Sequence, residues 1–242
     1  MRLLVLLLAI AMPVVGWLSQ TGAFGPDQGT ISDRYPTLLV AAGYAFSIWS
    51  VIFALDVVYG VLQATGRRRR DPVLGRIAPA AAAGFFLTAI WMPLFSQEMF
   101  WLCVGVIFAA LGCIGWCAVV LTRAGGHFWA WLALSLHAGW LALAAFLNLA
   151  QTIVADGVLS ASDMLGWSAV LYLLAALVLL GMNQLMRGNL AFAAAAAWGL
   201  AAVYVEQSRS DLAGAGTAAW IAAAILVALV VQTAWLVGRR RR

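Results

Sequence analysis

Long apolar segments alternate with short polar ones along the chain, and each apolar segment is long enough to cross a bilayer. About 20 residues of α-helix, rising about 1.5 Å each, span the hydrocarbon core of about 30 Å. The pattern therefore predicts eight transmembrane helices near residues 1–18, 36–64, 77–95, 100–122, 129–151, 164–186, 189–205 and 213–237. The first is predicted as an uncleaved span, with a signal peptide as the alternative. The longest connection, residues 22–35, is predicted to be a loop.

The fifth apolar segment carries a stripe of polar and small residues. At helical spacing, His137, Trp140, Ala144, Asn148 and Gln151 share one face. Unpaired polar groups are costly in hydrocarbon, so we expect this stripe to face protein or a cavity. The leucine-rich remainder of the helix is expected to face lipid.

Composition identifies an integral membrane protein, because 65% of the 242 residues are hydrophobic and 10% are charged. No segment is long and polar enough for a soluble catalytic domain. The sequence offers no nucleophile–base pair, phosphate-binding loop or dinucleotide fingerprint, and no convincing metal-ligand spacing. The three cysteines share one apolar segment and are interpreted as small buried side chains.

The net charge of +5 reflects membrane topology rather than nucleic-acid binding, because the basic residues lie in short connections. With the amino terminus in the cytoplasm, 12 of the 14 arginines fall on the cytoplasmic side. These are Arg2, Arg67, Arg68, Arg69, Arg70, Arg76, Arg123, Arg187, Arg239, Arg240, Arg241 and Arg242. The distribution predicts a multi-pass protein of the inner cell membrane with both termini cytoplasmic.

Asp56 lies inside the second span, seven residues after Trp49 and thus on the same face. A carboxylate at that depth costs about 2.5–3.5 kcal/mol on insertion scales, so it needs a partner. His137 lies at a similar depth, and we predict that the two side chains contact directly or through a water. Such a pair is either a proton-linked or ligand-anchoring site, or a polar clasp between helices.

Three aromatic motifs resemble the TspO/MBR family, the tryptophan-rich sensory proteins related to the mitochondrial translocator protein. They are GYAFSIW at residues 43–49, TAIWMPLF at 88–95 and WLALAAFLN at 140–148. They stand at the start of the second helix, the end of the third and the middle of the fifth, as in that family. The resemblance covers roughly residues 1–155. The family's tryptophan–proline–proline run and its sterol-linked tyrosine and arginine are absent.

The resemblance implies an all-α fold: a TspO-like five-helix bundle over residues 1–156, followed by three additional transmembrane helices over 157–242. It also implies a pocket beneath residues 22–35, which form a lid on the outer face. The implied ligand-binding residues are Tyr44, Phe46, Trp49, Trp91, Phe95, Trp140, Ala144 and Asn148. His137 joins them as a candidate, because one imidazole is enough to hold haem.

The family binds tetrapyrroles, sterol-like lipids and synthetic aromatic ligands. We therefore expect a membrane binding protein, not an enzyme, that acts as sensor, carrier or chaperone of a hydrophobic, planar ligand such as a tetrapyrrole. One alternative is a proton-coupled secondary transporter that uses Asp56 and His137. Another is a structural or assembly subunit that docks through the alanine-rich last three helices. The expected partners are the small molecule, the lipid bilayer and a second copy in a homodimer.

Overall fold

The structure is a computed structural model that describes residues 1–240. Arg241 and Arg242, two of the predicted cytoplasmic arginines, lie outside the described residues. Nine α-helices occupy the described part: α1 Arg2–Gln20, α2 Gln28–Arg34, α3 Ile48–Ala64, α4 Pro72–Ser96, α5 Phe100–Ala124, α6 Phe128–Ala155, α7 Met164–Leu185, α8 Leu190–Gln207 and α9 Ala215–Arg240. All except α2 are long and apolar enough to cross a membrane, which confirms the all-α prediction of eight spans.

Two predicted boundaries are wrong. The second span begins at the 3-10 turn Gly43–Ser47 and not at residue 36, because residues 36–42 are irregular. The connection 22–35 is not a loop throughout, since α2 forms its second half. Asp27 caps α2 by accepting hydrogen bonds from the amides of Gly29 (2.9 Å) and Thr30 (3.1 Å).

Helix α6 is the central helix of the fold. It packs against α3 and α5 on one side and against α7 and α8 on the other, while α9 covers α7 and α8. In the most apolar stretch of α6, 83% of the residues are buried. The corresponding share is 22% in α1 and 22% in α9. The expectation that its leucine-rich side faces lipid is therefore wrong, because α7 and α8 cover that side.

Small residues allow α6 and α8 to approach this closely. A Cβ on Gly139 would overlap the backbone of Phe192, and a Cβ on Gly199 would lie 2.5 Å from a methyl carbon of Leu143. Glycines at helix contacts of this kind let the backbones of membrane helices come together.

Helices α7 and α8 also hold the chain before α3, which we call the roof segment (residues 37–45). Backbone N–H and C=O groups that lack hydrogen-bond partners inside a membrane protein cost free energy, so this segment needs partners. Side chains from α7 and α8 supply them: Tyr172 Oη donates to Leu38 O (2.7 Å), Gln207 Nε2 to Thr37 O (3.0 Å), and Trp198 Nε1 to Ala45 O (3.1 Å). The amide of Ala42 donates to the carbonyl of Ala202 at 3.2 Å.

Polar contacts also join the helices at the opposite end, which we call the arginine-rich end. Arg2 donates to the side chain of Gln63 (3.1 Å) and to the carbonyl of Asp71 (2.6 Å). The imidazole of His127 lies 3.0 Å from the carboxylate of Asp71, which also caps α4. These contacts join α1, α3, α4 and α6 at one level.

Candidate ligand pocket

A small cavity lies beneath α2 and the roof segment, between α3, α4 and α6. Its volume is about 20 Å³. The lining residues are Ser32, Val40, Ala41, Phe46, Trp49, Trp91, Phe95, Trp140, Ala144, Leu147, Asn148 and Gln151. Seven of the predicted ligand-binding residues are therefore brought to one place: Phe46, Trp49, Trp91, Phe95, Trp140, Ala144 and Asn148.

The aromatic rings of the cavity wall pack against one another, some edge to face and some stacked. Trp49 meets Trp140 edge to face, with 6.1 Å between ring centroids, and it stacks on Phe53 at 5.1 Å. Trp91 stacks on Phe95 at 4.7 Å. The indole nitrogen of Trp91 donates to Oδ1 of Asn148 at 2.8 Å, so this asparagine fixes the ring orientation.

Two predicted residues lie elsewhere. Tyr44 is 48% exposed and packs edge to face against Trp198 at 5.5 Å, outside the cavity. His137 is fully buried but lies behind Trp49, with 5.7 Å between the ring centroids, and does not line the cavity.

Asp56 and His137 form a direct hydrogen bond of 2.8 Å between Oδ2 and Nδ1, and both side chains are fully buried. Nε2 of the imidazole lies 3.2 Å from the hydroxyl of Thr88, and Phe85 stacks on the ring at 6.1 Å. Because both ring nitrogens already have partners and no face is open, His137 does not fit the role of an axial haem ligand. Among residues 1–240, no group of three His, Cys, Asp or Glu side chains is placed to hold a metal ion.

A much larger groove of about 920 Å³ runs between α1 and α3 on the outer surface of the helix bundle. Its lining includes the exposed Trp17 and Tyr44, together with Pro13, Gly16, Gln20, Gln28, Gly43, Phe46, Ser47, Trp49, Ser50, Phe53, Ala54, Val57 and Met92. Phe46 and Trp49 line both the groove and the cavity. These two side chains therefore form the partition between a buried space and an open one.

One model of a known protein family matches most of the chain. The model described as "TSPO-like protein" matches residues 2–232. The chain belongs to this family. The match extends beyond the three aromatic motifs and includes α7, α8 and most of α9. No curated protein and no solved structure was found to match this TSPO-like protein.

Three polar atoms on the residues that line the cavity have no hydrogen-bond partner among the described residues. They are Oγ of Ser32, Nε1 of Trp140 and Nε2 of Gln151. All three side chains are at least nine-tenths buried. None of the lining residues is charged. In this TSPO-like protein the cavity is thus uncharged but has unused hydrogen-bonding capacity.

The predicted lid is held down by a polar network. Arg34 forms an ion pair of 2.9 Å with Glu98, and Tyr35 donates to the same carboxylate at 2.7 Å, which raises the pKa of Tyr35. Gln28 of α2 donates to Oγ of Ser19 in α1 at 2.9 Å. The hydroxyl of Thr30 holds the pKa of Asp27 below its usual range, so the cap of α2 stays charged at neutral pH.

Sequence reasoning did not place Ser32, Val40, Ala41 or Leu147 in the pocket of this TSPO-like protein. The first three lie in α2, which has only seven residues, and in the roof segment. Both are too short to show the periodic pattern of apolar residues from which a buried face is predicted. Gln151 was recognised on the polar stripe of α6 but not as a lining residue. Thr88 begins the TAIWMPLF motif, yet nothing in the sequence indicates that it contacts His137.

Proposed function

We propose that this TSPO-like protein binds a hydrophobic, flat ligand inside the bilayer and acts as its sensor, carrier or chaperone rather than as an enzyme. The observation that carries the proposal is the partition formed by Phe46 and Trp49. It separates an aromatic-walled cavity from a groove that opens on the outer surface of the helix bundle. A molecule dissolved in the membrane reaches the groove without crossing water.

We interpret the small cavity as a closed form of this site. A cavity of about 20 Å³ holds about one water molecule, whereas sites for small ligands usually measure about 300–1,000 Å³. Binding therefore requires Phe46 and Trp49 to move toward the groove, where about 920 Å³ is free. A tetrapyrrole has the required flatness, but its carboxylates find no cation among the lining residues.

Filling the cavity tests the proposal. Ala144→Trp puts an indole into the space between α3 and α6, so we expect it to weaken binding of a flat aromatic probe, 9-fluorenone, by at least about tenfold. Equilibrium dialysis of the probe against the detergent-solubilised protein measures this directly. The matched control is Ala224→Trp, at an exposed position of α9, which should bind like wild type. Equal binding by Ala144→Trp and wild type contradicts the proposed site.

A second candidate function, proton-coupled transport, is supported by the Asp56–His137 pair. A cavity of about 150 Å³ at the arginine-rich end is lined in part by Tyr59, which lies one helical turn from Asp56 on α3. The hydroxyl of Tyr59 and Oδ1 of Asp56 both lack partners among the described residues. Polar atoms in such a line favour entry of water and protons from that end.

Proton flux distinguishes this candidate. Proteoliposomes that contain a pH-sensitive dye are given a potassium diffusion potential, and the internal pH is followed. Transport predicts faster acidification with wild type than with Asp56→Asn. Equal rates for wild type, Asp56→Asn and empty liposomes speak against proton coupling and leave the binding function untouched.

We further propose that the protein lies in the inner cell membrane with both termini in the cytoplasm, as the arginine distribution supports. Single cysteines introduced at the exposed Gly126 and Ser162, in a variant without the native cysteines, should label from the cytoplasmic side and from the outer side of the membrane, respectively. Labelling of both from the same side contradicts this topology.

A further inference from the structure

We propose that the ligand of the cavity is a neutral, flat molecule with a carbonyl oxygen at its deep end and a second polar, uncharged group at its lid end. The carbonyl accepts a hydrogen bond from Nε1 of Trp140, and the second group meets Gln151 and Ser32. This inference rests on the proposed binding function and names the chemical class of its ligand.

The unpaired donors carry the argument. Buried polar groups in proteins nearly always have a hydrogen-bond partner, and each exception calls for a specific reason. Here three such groups, on Ser32, Trp140 and Gln151, belong to residues that line one cavity. An indole N–H is a donor only, and a carboxamide NH₂ is a donor as well, so the missing partner must supply acceptors.

The orientation of Trp140 directs its donor away from the neighbouring helix. Atom Cζ3 of its six-membered ring lies 3.3 Å from the position that a Cβ on Gly199 would take, so this edge of the ring faces α8. The N–H lies on the opposite side of the indole. It therefore points away from α8, and Trp49 and Phe46 pack edge to face with the same ring.

The two ends of the cavity differ in position along α6. Trp140 and Gln151 are eleven residues apart, about 16 Å along a helix axis, and both line the cavity. Gln151 lies near the C-terminal end of α6, and Ser32 of α2 adds a hydroxyl to the lining of the same cavity. Asn148, between them, already bonds Trp91 through its carbonyl oxygen. A ligand lying along α6 thus meets one donor at depth and a polar pair under the lid.

The uncharged lining of the cavity also restricts the charge of its ligand. An ionised carboxylate or amine that leaves water without a partner is strongly disfavoured. Because none of the described residues that line the cavity carries a charge, the ligand must enter neutral.

Matched probes test the deep end. 9-Fluorenone and fluorene share one flat skeleton and differ by a carbonyl in place of a methylene. We expect wild type to bind 9-fluorenone about tenfold more tightly than fluorene, and Trp140→Phe to lose this preference while keeping its affinity for fluorene. The bound ketone should also show a carbonyl stretch at lower frequency than in hexadecane, a readout that needs no variant. Equal affinity for the two probes, or an unshifted stretch, overturns the inference.

A second matched pair tests the lid end. The 2-carboxamide and the 2-carboxylate of 9-fluorenone place a neutral and a charged group at the same end of the skeleton. We expect the amide to bind at least about tenfold more tightly than the carboxylate at pH 7. Gln151→Met should weaken the amide but leave 9-fluorenone unchanged. Tighter binding of the carboxylate overturns the assignment of a neutral ligand.

The outcomes separate the inference from the function on which it rests. If fluorene and 9-fluorenone bind equally and Ala144→Trp blocks both, the binding site stands and the hydrogen-bonding class is wrong. If neither probe binds to wild type or to the Ala224→Trp control, the proposed function fails and takes the inference with it.

Discussion

At the scale of single residues, polar side chains inside this membrane protein are arranged in pairs that cross between helices. Asp56 of α3 bonds His137 of α6, and Trp91 of α4 bonds Asn148 of α6. In hydrocarbon the alternative to such a partner is an unsatisfied group, so each pair fixes the relative position of two helices. Three of the buried polar atoms without a partner among the described residues, on Ser32, Trp140 and Gln151, belong to residues that line the cavity.

The Asp56–His137 pair should show strong energetic coupling. His137→Leu leaves a carboxyl group buried without its partner, and we expect a loss of about 3 kcal/mol in the free energy of unfolding. Asp56→Leu should cost a similar amount, because it strands the imidazole. The double variant Asp56→Leu/His137→Leu should recover part of the loss, since no polar group then remains unpaired.

Reversible unfolding in mixed micelles, followed by circular dichroism, measures the four corners of this cycle. Additive losses in the double variant contradict a coupled pair. If His137→Leu stays folded and still binds 9-fluorenone like wild type, the pair acts as a clasp between α3 and α6 rather than as an anchor for the ligand.

At the scale of elements, the contact between α6 and α8 depends on the absence of side chains. Gly139→Ala would push a methyl group into the backbone of Phe192, so the helices must separate and the variant should lose about 1–3 kcal/mol of stability. Gly105→Ala is the control. It lies exposed in the second turn of α5 with open space around its Cβ position, so alanine there should be neutral or slightly stabilising. Thermal unfolding of both variants in detergent compares them. Equal melting temperatures contradict a close helix contact at Gly139.

The roof segment depends on α7 and α8 in a way that can be measured locally. Gln207→Leu removes the donor to the carbonyls of Thr37 and Val40, so we expect faster amide hydrogen exchange across residues 37–45 and a loss of about 1 kcal/mol in stability. Gln184→Leu replaces an exposed glutamine of α7 and should leave exchange unchanged. Exchange that rises equally in both variants, or in neither, shows that Gln207 does not hold this segment.

The roof segment also shows which structural features can be predicted from the local sequence pattern and which cannot. The eight spans follow from the local apolar pattern, and the aromatic motifs brought seven predicted residues to one cavity. The roof segment looked like the start of a helix because it is apolar. Its backbone partners lie far away in the chain: Tyr172 is separated from Leu38 by 134 positions, and Gln207 from Thr37 by 170 positions. No local pattern records contacts of that separation.

At the scale of the whole molecule, the helices after residue 156 form part of the structure around the pocket. α8 covers the back of α6, and residues of α7 and α8 hold the roof segment, two of whose residues, Val40 and Ala41, line the cavity. The family match likewise runs through residue 232. The division into a five-helix bundle and three additional helices remains a prediction about sequence organisation. The packing argues that the two parts do not fold independently.

Truncation decides this point. A chain ending at Gly157 would expose the face of α6 that carries Gly139, which now lies against Phe192, and would leave the carbonyls of Thr37 and Leu38 without donors. Exposed backbone polar groups and a helix surface shaped for a missing neighbour both favour aggregation, so we expect the truncated chain to elute as large aggregates in size-exclusion chromatography. Co-expression of residues 158–242 as a separate chain should restore a monodisperse complex, because the same contacts can then form between two chains. A truncated protein that stays monodisperse and binds 9-fluorenone like the full chain would show that α7, α8 and α9 are accessory to a pocket that the first six helices build alone.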